Sequence, residues 1–89
     1  MKCADVTIVN NLGLHARAAA KLVSLASGFK SDVTLARDNQ QVNAKSIMGV
    51  MMLAAAKGTV LKICAQGADE DKTIDALTQL VGERFGENQ

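Results

Sequence analysis

Two hydrophobic periods alternate along the chain. Ala4, Val6 and Ile8 are separated by Asp5 and Thr7, the two-residue repeat of a strand with one buried face. Asn10-Asn11-Leu12-Gly13 supplies turn chemistry. From Ala16 to Ser27 the repeat lengthens. Ala19, Leu22, Val23 and Ala26 lie three and four apart, which predicts an amphipathic helix that stops at Gly28. Alternation returns from Ser31 to Arg37 with Val33 and Leu35 inward. Asp38-Asn39 makes a turn and Gln40 to Asn43 a short returning strand, so this region reads as a hairpin. Ile47 to Leu53 predicts a short, very apolar helix closed by Ala54 to Gly58. Thr59 to Gln66 predicts a strand with Leu61, Ile63 and Ala65 on one face. Asp69, Glu70 and Asp71 load acid onto the start of a last helix, as the macrodipole favours. Ile74, Leu77 and Val81 form its buried stripe, with Leu80 at the margin. Gly82 weakens its end, and Gly86 to Gln89 are expected to fray. The order β-α-β-β-α-β-α predicts an α+β fold, its helices covering one face of a mainly antiparallel sheet.

Composition narrows the function classes. The 89 residues suit a single domain, 1–89, with no linker or repeat. Ten Lys and Arg against nine Asp and Glu leave a net charge of +1, too balanced for electrostatic nucleic-acid binding. The only aromatic residues are Phe29 and Phe85, which removes the stacking platform that single-stranded nucleic acid needs. No apolar run approaches the roughly 20 residues that span a bilayer, and the first residues lack the apolar core of a signal peptide. These features predict a cytoplasmic chain with no membrane insertion. Cys3 and Cys64 are far apart in sequence and read as two reduced thiols, Cys64 in or near a strand. One histidine and two scattered cysteines do not make a metal site, and no cofactor motif is present.

The candidate chemistry lies in Gly13-Leu14-His15-Ala16-Arg17. A glycine for the turn, the only histidine and an arginine precede an alanine-rich helix. A lone histidine in a turn is weak evidence of function. At a helix start it becomes an ionisable nucleophile beside unpaired backbone N–H groups, which favour an anion. An imidazole is largely uncharged at neutral pH, as a nucleophile must be. The N–H groups near Ala16 and Arg17 can bind a phosphate formed on the ring, and the Arg17 guanidinium can clamp its oxygens. No glycine-rich nucleotide loop and no carboxylate pair for magnesium occur, so phosphate is expected to arrive from a partner.

This stretch, with Asn43-Ala44-Lys45-Ser46-Ile47-Met48-Gly49-Val50-Met51, closely resembles the HPr family, the histidine-containing phosphocarriers of the bacterial phosphotransferase system. The likeness covers essentially the whole chain, including Ala56-Lys57-Gly58-Thr59. It implies an open-faced β-sandwich, a four-stranded antiparallel sheet with three helices on one face. It implies that enzyme I phosphorylates His15 and that the group passes to an enzyme IIA domain. The chain would then be a monomeric carrier and not an enzyme. In many bacteria an HPr kinase/phosphorylase modifies the serine at the position of Ser46. Ala18 departs from the family's usual proline; alanine is also a good helix former, so the chemistry should survive.

Ser46 also reads as an N-cap, its hydroxyl accepting from the N–H of Met48 or Gly49. The Ile47–Leu53 helix holds more apolar residues than one buried stripe accommodates. Ile47, Met48 and Met51 are expected outward near His15 as a partner surface, with Val50 and Leu53 inward. Leu12, Lys45 and Lys57 are candidates for the same face. Two other readings stand beside the carrier: a regulatory adaptor acting mainly through Ser46, and an unrelated α/β binding module, which charge balance and aromatic poverty disfavour.

Overall fold

A computed structural model describes residues 1–89. The strands are β1 (Lys2–Thr7), β2 (Asp32–Arg37), β3 (Gln40–Asn43) and β4 (Val60–Gln66). The helices are α1 (Ala16–Ser27), α2 (Ile47–Met52) and α3 (Glu70–Gly82), followed by a 3-10 turn at Arg84–Gly86. The strands form one antiparallel sheet in the order β1-β4-β2-β3. Because β4 inserts between β1 and β2, the connection through α1 is a split crossover.

Alternation sets which face the helices cover. Val6, Val33, Leu35, Leu61, Ile63 and Ala65 point into the core, while Asp5, Thr7, Val60, Lys62 and Gln66 face solvent. Ala19, Leu22, Val23 and Ala26 of α1 and Ile74, Leu77 and Val81 of α3 close that core. These are the stripes predicted from spacing. Small residues on α1 let it pack closely against α2 and α3, and Ala18, in the proline position, is fully buried.

Three local features differ from the sequence reading. Gly28 closes α1 in right-handed geometry, φ −76°, so the helix stop makes no use of glycine's left-handed freedom. Cys3 and Cys64 are not separate thiols. They are register partners on β1 and β4, with Cα atoms 4.1 Å apart, and are joined by a disulfide. Periodicity places Cys64 in or near a strand and Cys3 just before one but does not align the two strands, so it could not reveal this partnership.

The third is the C-terminal segment. It does not fray. Arg84, Phe85 and Gly86 all take left-handed φ values of 59°, 55° and 79°. A run of two non-glycine residues in that region costs roughly 1–2 kcal/mol each. The turn drives Phe85 fully into the core, a burial worth about 2–3 kcal/mol. Lys21 Nζ donates to the Phe85 carbonyl at 2.7 Å, and Asn11 N–H donates to the Gln89 carbonyl at 3.0 Å. The last residues are thus strapped across the start of α1.

Candidate functional site

The segment between β1 and α1 is held on both sides. Ile8 exchanges backbone hydrogen bonds with Gly58 and Thr59, and Leu14 N–H donates to the Ala55 carbonyl at 2.8 Å. Gly13 sits at φ +66°, and a Cβ there would lie 2.6 Å from the Ala55 carbonyl oxygen. Only glycine fits this close approach. Leu14 is buried, so the next residue, His15, points outward at the helix start.

His15 is the N-cap of α1 with extended backbone, φ −73° and ψ 178°. Its ring Nδ1 accepts from the Arg17 N–H at 3.2 Å, much as a capping oxygen would. The N–H groups of Ala16 and Ala18 belong to the same first turn, where no intrahelical acceptor exists. Arg17 is exposed, and its guanidinium makes no hydrogen bond or ion pair within the protein. Nδ1 therefore faces the Arg17 N–H, and the unpaired Arg17 side chain lines the same surface pocket as the ring.

The other ring nitrogen has a different neighbour. His15 Nε2 is hydrogen-bonded to Glu87 Oε2. The second carboxylate oxygen, Oε1, accepts from Asn10 Nδ2 at 2.9 Å. The same Nδ2 donates to the Gly13 carbonyl at 2.8 Å. The bond from His15, reinforced by that from Asn10, holds the Glu87 carboxyl below the usual glutamate range. Asn10 is fully buried and its Oδ1 has no partner. Its orientation is forced, because rotating the amide would set that oxygen against two acceptors. Leaving a buried carbonyl unpaired costs about 1–3 kcal/mol. The protein accepts this cost to aim two donors at the histidine loop and Glu87.

A shallow pocket results, with Asn11, Leu12, His15 and Arg17 on one side and Glu87 and Gln89 on the other. Glu87 and Asn10 were not among the sequence candidates. One signal was available: Phe85, one of two aromatic residues, favours burial and immediately precedes the segment expected to fray. The Glu87–His15 pairing itself spans 72 positions and leaves no local signature.

Helix α2 carries the remaining candidates. The Ser46 hydroxyl caps it, accepting from Gly49 N–H at 3.2 Å. Val50 and Leu53 are buried, whereas Ile47, Met48, Met51 and Met52 are exposed, Met48 by 73%. Leu12 is exposed beside His15. These residues do not form one tight cluster. Lys45 Nζ donates to the carbonyl of Phe29, just past the end of α1. Ala55, just past α2, meets Gly13 and Leu14 at the start of α1. The two helices therefore run in opposite directions. The Lys45 ammonium is thus tied to the far end of α1, while Ile47, Met48 and Met51, expected outward near His15, are exposed on α2. Lys57 Nζ reaches Asn11 Oδ1 at 2.9 Å, so Lys57 does belong to the histidine loop.

Comparisons with known proteins agree with this geometry. The family model for the PTS HPr component phosphorylation site matches residues 2–83. The phosphocarrier protein HPr of Cupriavidus necator is 54% identical over 85 residues, 96% of each chain. That of Pseudomonas aeruginosa is 47% identical, with all of both chains covered. The crystal structure of HPr-C-His from Thermoanaerobacter tengcongensis matches with a TM-score of 0.96 at 47% identity over the whole of both chains.

Proposed function

This chain belongs to the HPr family, the phosphocarriers of the phosphotransferase system, and we propose that His15 accepts a phosphoryl group from phosphorylated enzyme I and passes it to an enzyme IIA domain. One observation carries this reading: His15 Nδ1 accepts from the Arg17 N–H in the first turn of α1, with the unengaged Arg17 side chain lining the same pocket. Nδ1 is the attacking nitrogen. As the N–P bond forms, the Arg17 N–H is released to the new phosphate, joined by the N–H groups of Ala16 and Ala18. Arg17 turns its guanidinium onto the same oxygens and neutralises charge during in-line transfer. The chain carries the group and does not activate it; donor and acceptor supply the rest of the site, in the cytoplasm.

The partner face is built from Leu12 and the exposed side of α2, with Ile47, Met48 and Met51. Flexible methionines suit a surface that must fit several partners in turn. Lys45 borders this face, although its ammonium is tied to Phe29. Ser46 stands on the same helix and is the candidate site for an HPr kinase. Its phosphate could keep the bond from Gly49 N–H, so phosphorylation would change the charge of the partner face without melting α2.

The test is labelling by enzyme I, magnesium and phosphoenolpyruvate. The expected product is an acid-labile, base-stable phosphate absent from His15→Ala. Label retained in that variant overturns the proposal. With HPr kinase and ATP, the expected product is an acid-stable phosphate lost in Ser46→Ala; unchanged labelling of that variant removes Ser46 from the account.

A further inference from the structure

We propose that Glu87 is a positioning residue for phosphoryl transfer: it fixes the proton of neutral His15 on Nε2, leaving the Nδ1 lone pair as the nucleophile. This rests on the phosphocarrier reading and assigns a role to a residue outside the histidine motif.

The argument begins with what each ring nitrogen faces. An ionised carboxylate only accepts, and Glu87 Oε2 lies against Nε2. A backbone N–H only donates, and that of Arg17 points at Nδ1. The tautomer protonated on Nε2 satisfies both neighbours. The opposite tautomer would set a lone pair against the carboxylate and one N–H against another. The ring is therefore selected from both ends, as when a carboxylate orients a catalytic or metal-binding histidine.

The carboxylate is itself built in. Its side chain is only 16% exposed. Its other oxygen is held by Asn10, whose amide leaves its own buried oxygen unpartnered to donate there and to Gly13. The left-handed turn at Arg84–Gly86, the buried Phe85 and the Lys21 bond to its carbonyl deliver Glu87 to the ring.

The chemistry follows from that proton. The Nδ1 lone pair forms the N–P bond as the bond between phosphorus and the donor breaks, and the donor's leaving group keeps that electron pair. The His15 ring becomes cationic with its proton still on Nε2, facing the Glu87 carboxylate. On delivery the N–P electron pair returns to Nδ1, and the ring departs as neutral imidazole with its Nε2–H in place. No proton moves in either direction. Without a proton on Nε2 the leaving group would be imidazolate, which departs far less readily. Glu87 thus serves acceptance and release alike.

His15 is the only histidine, so its ring can be read by NMR without ambiguity in a chain labelled with ¹⁵N-histidine. Above the ring's titration, wild type is expected to show a protected, downfield Nε2–H resonance and an unprotonated Nδ1. Glu87→Ala should lose that protection while its backbone amide spectrum stays folded. Its phosphorylation by enzyme I should slow about tenfold or more, equivalent to about 1.4 kcal/mol. Glu87→Gln, which keeps an acceptor oxygen, should rescue part of both signals. Asn10→Ala should loosen the ring in the same direction. The proposal is overturned if wild type carries its ring proton on Nδ1, or if Glu87→Ala keeps the Nε2–H signal and the wild-type rate. If no form of the chain takes label, the carrier reading fails, and the ring spectrum still decides the role of Glu87.

Discussion

Single carboxylates do much of the stitching in this small protein, and Asp69 shows how. It precedes α3, where sequence patterning reads it as a charge for the helix dipole. Its carboxylate instead crosses to the start of β2, accepting from the Ser31 hydroxyl and from the N–H groups of Ser31 and Lys30. Toward the helix, its backbone carbonyl accepts from the Thr73 N–H and hydroxyl, and its carboxylate Oδ1 accepts more weakly from the same hydroxyl at 3.5 Å. The Ser31 hydroxyl, then the Lys30 N–H, lower its pKa from 3.8 to about 2. A depressed carboxylate stabilises the fold fully above its unfolded value and loses that contribution as pH falls through its folded value. Wild type should therefore lose stability between about pH 4 and pH 2, measured as the urea midpoint at successive pH values. Asp69→Asn should be less stable at pH 7 and show a shallower decline over that window. Equal slopes in the two proteins would contradict the assignment.

At the scale of elements, much was legible in sequence because burial of one face imposes a period. The three helices and four strands follow the expected order with ends shifted by a residue or so. The turn at Gly13 and the Ser46 cap carry their own local chemistry. What escaped depends on relations between elements. The antiparallel course of α1 and α2, which separates Lys45 from His15, has no local period. Nor do left-handed Arg84 and Phe85, where no glycine announces the turn. The β1–β4 register, which pairs Cys3 with Cys64, is likewise a tertiary fact. That bond closes a loop of 61 residues, and chain-entropy reasoning gives about 4 kcal/mol for its effect. Reduction, or Cys3→Ser, should lower the thermal midpoint by roughly 15 °C or more. Oxidised and reduced forms that unfold within a couple of degrees would contradict this. The pair lies on the sheet face away from the helices, so reduction should leave labelling of His15 unchanged.

For the whole molecule, the sheet and its single helical layer act as a frame for one exposed ring. Leu14 anchors the loop from below, α1 supplies a donor to Nδ1, and the strapped C-terminal segment brings a carboxylate to Nε2. Nothing encloses the ring, which is 27% exposed and reachable by a large partner. That openness fits a carrier whose chemistry is completed by two other proteins in turn. The claim is tested most directly by following one phosphoryl group through the chain. Enzyme I and labelled phosphoenolpyruvate are used to charge the protein, free donor is removed, and an enzyme IIA domain is added. The account predicts that label leaves this chain and appears on the acceptor, and that His15→Ala abolishes both steps. Label that stays on the chain, or that reaches the acceptor equally well through His15→Ala, would contradict it.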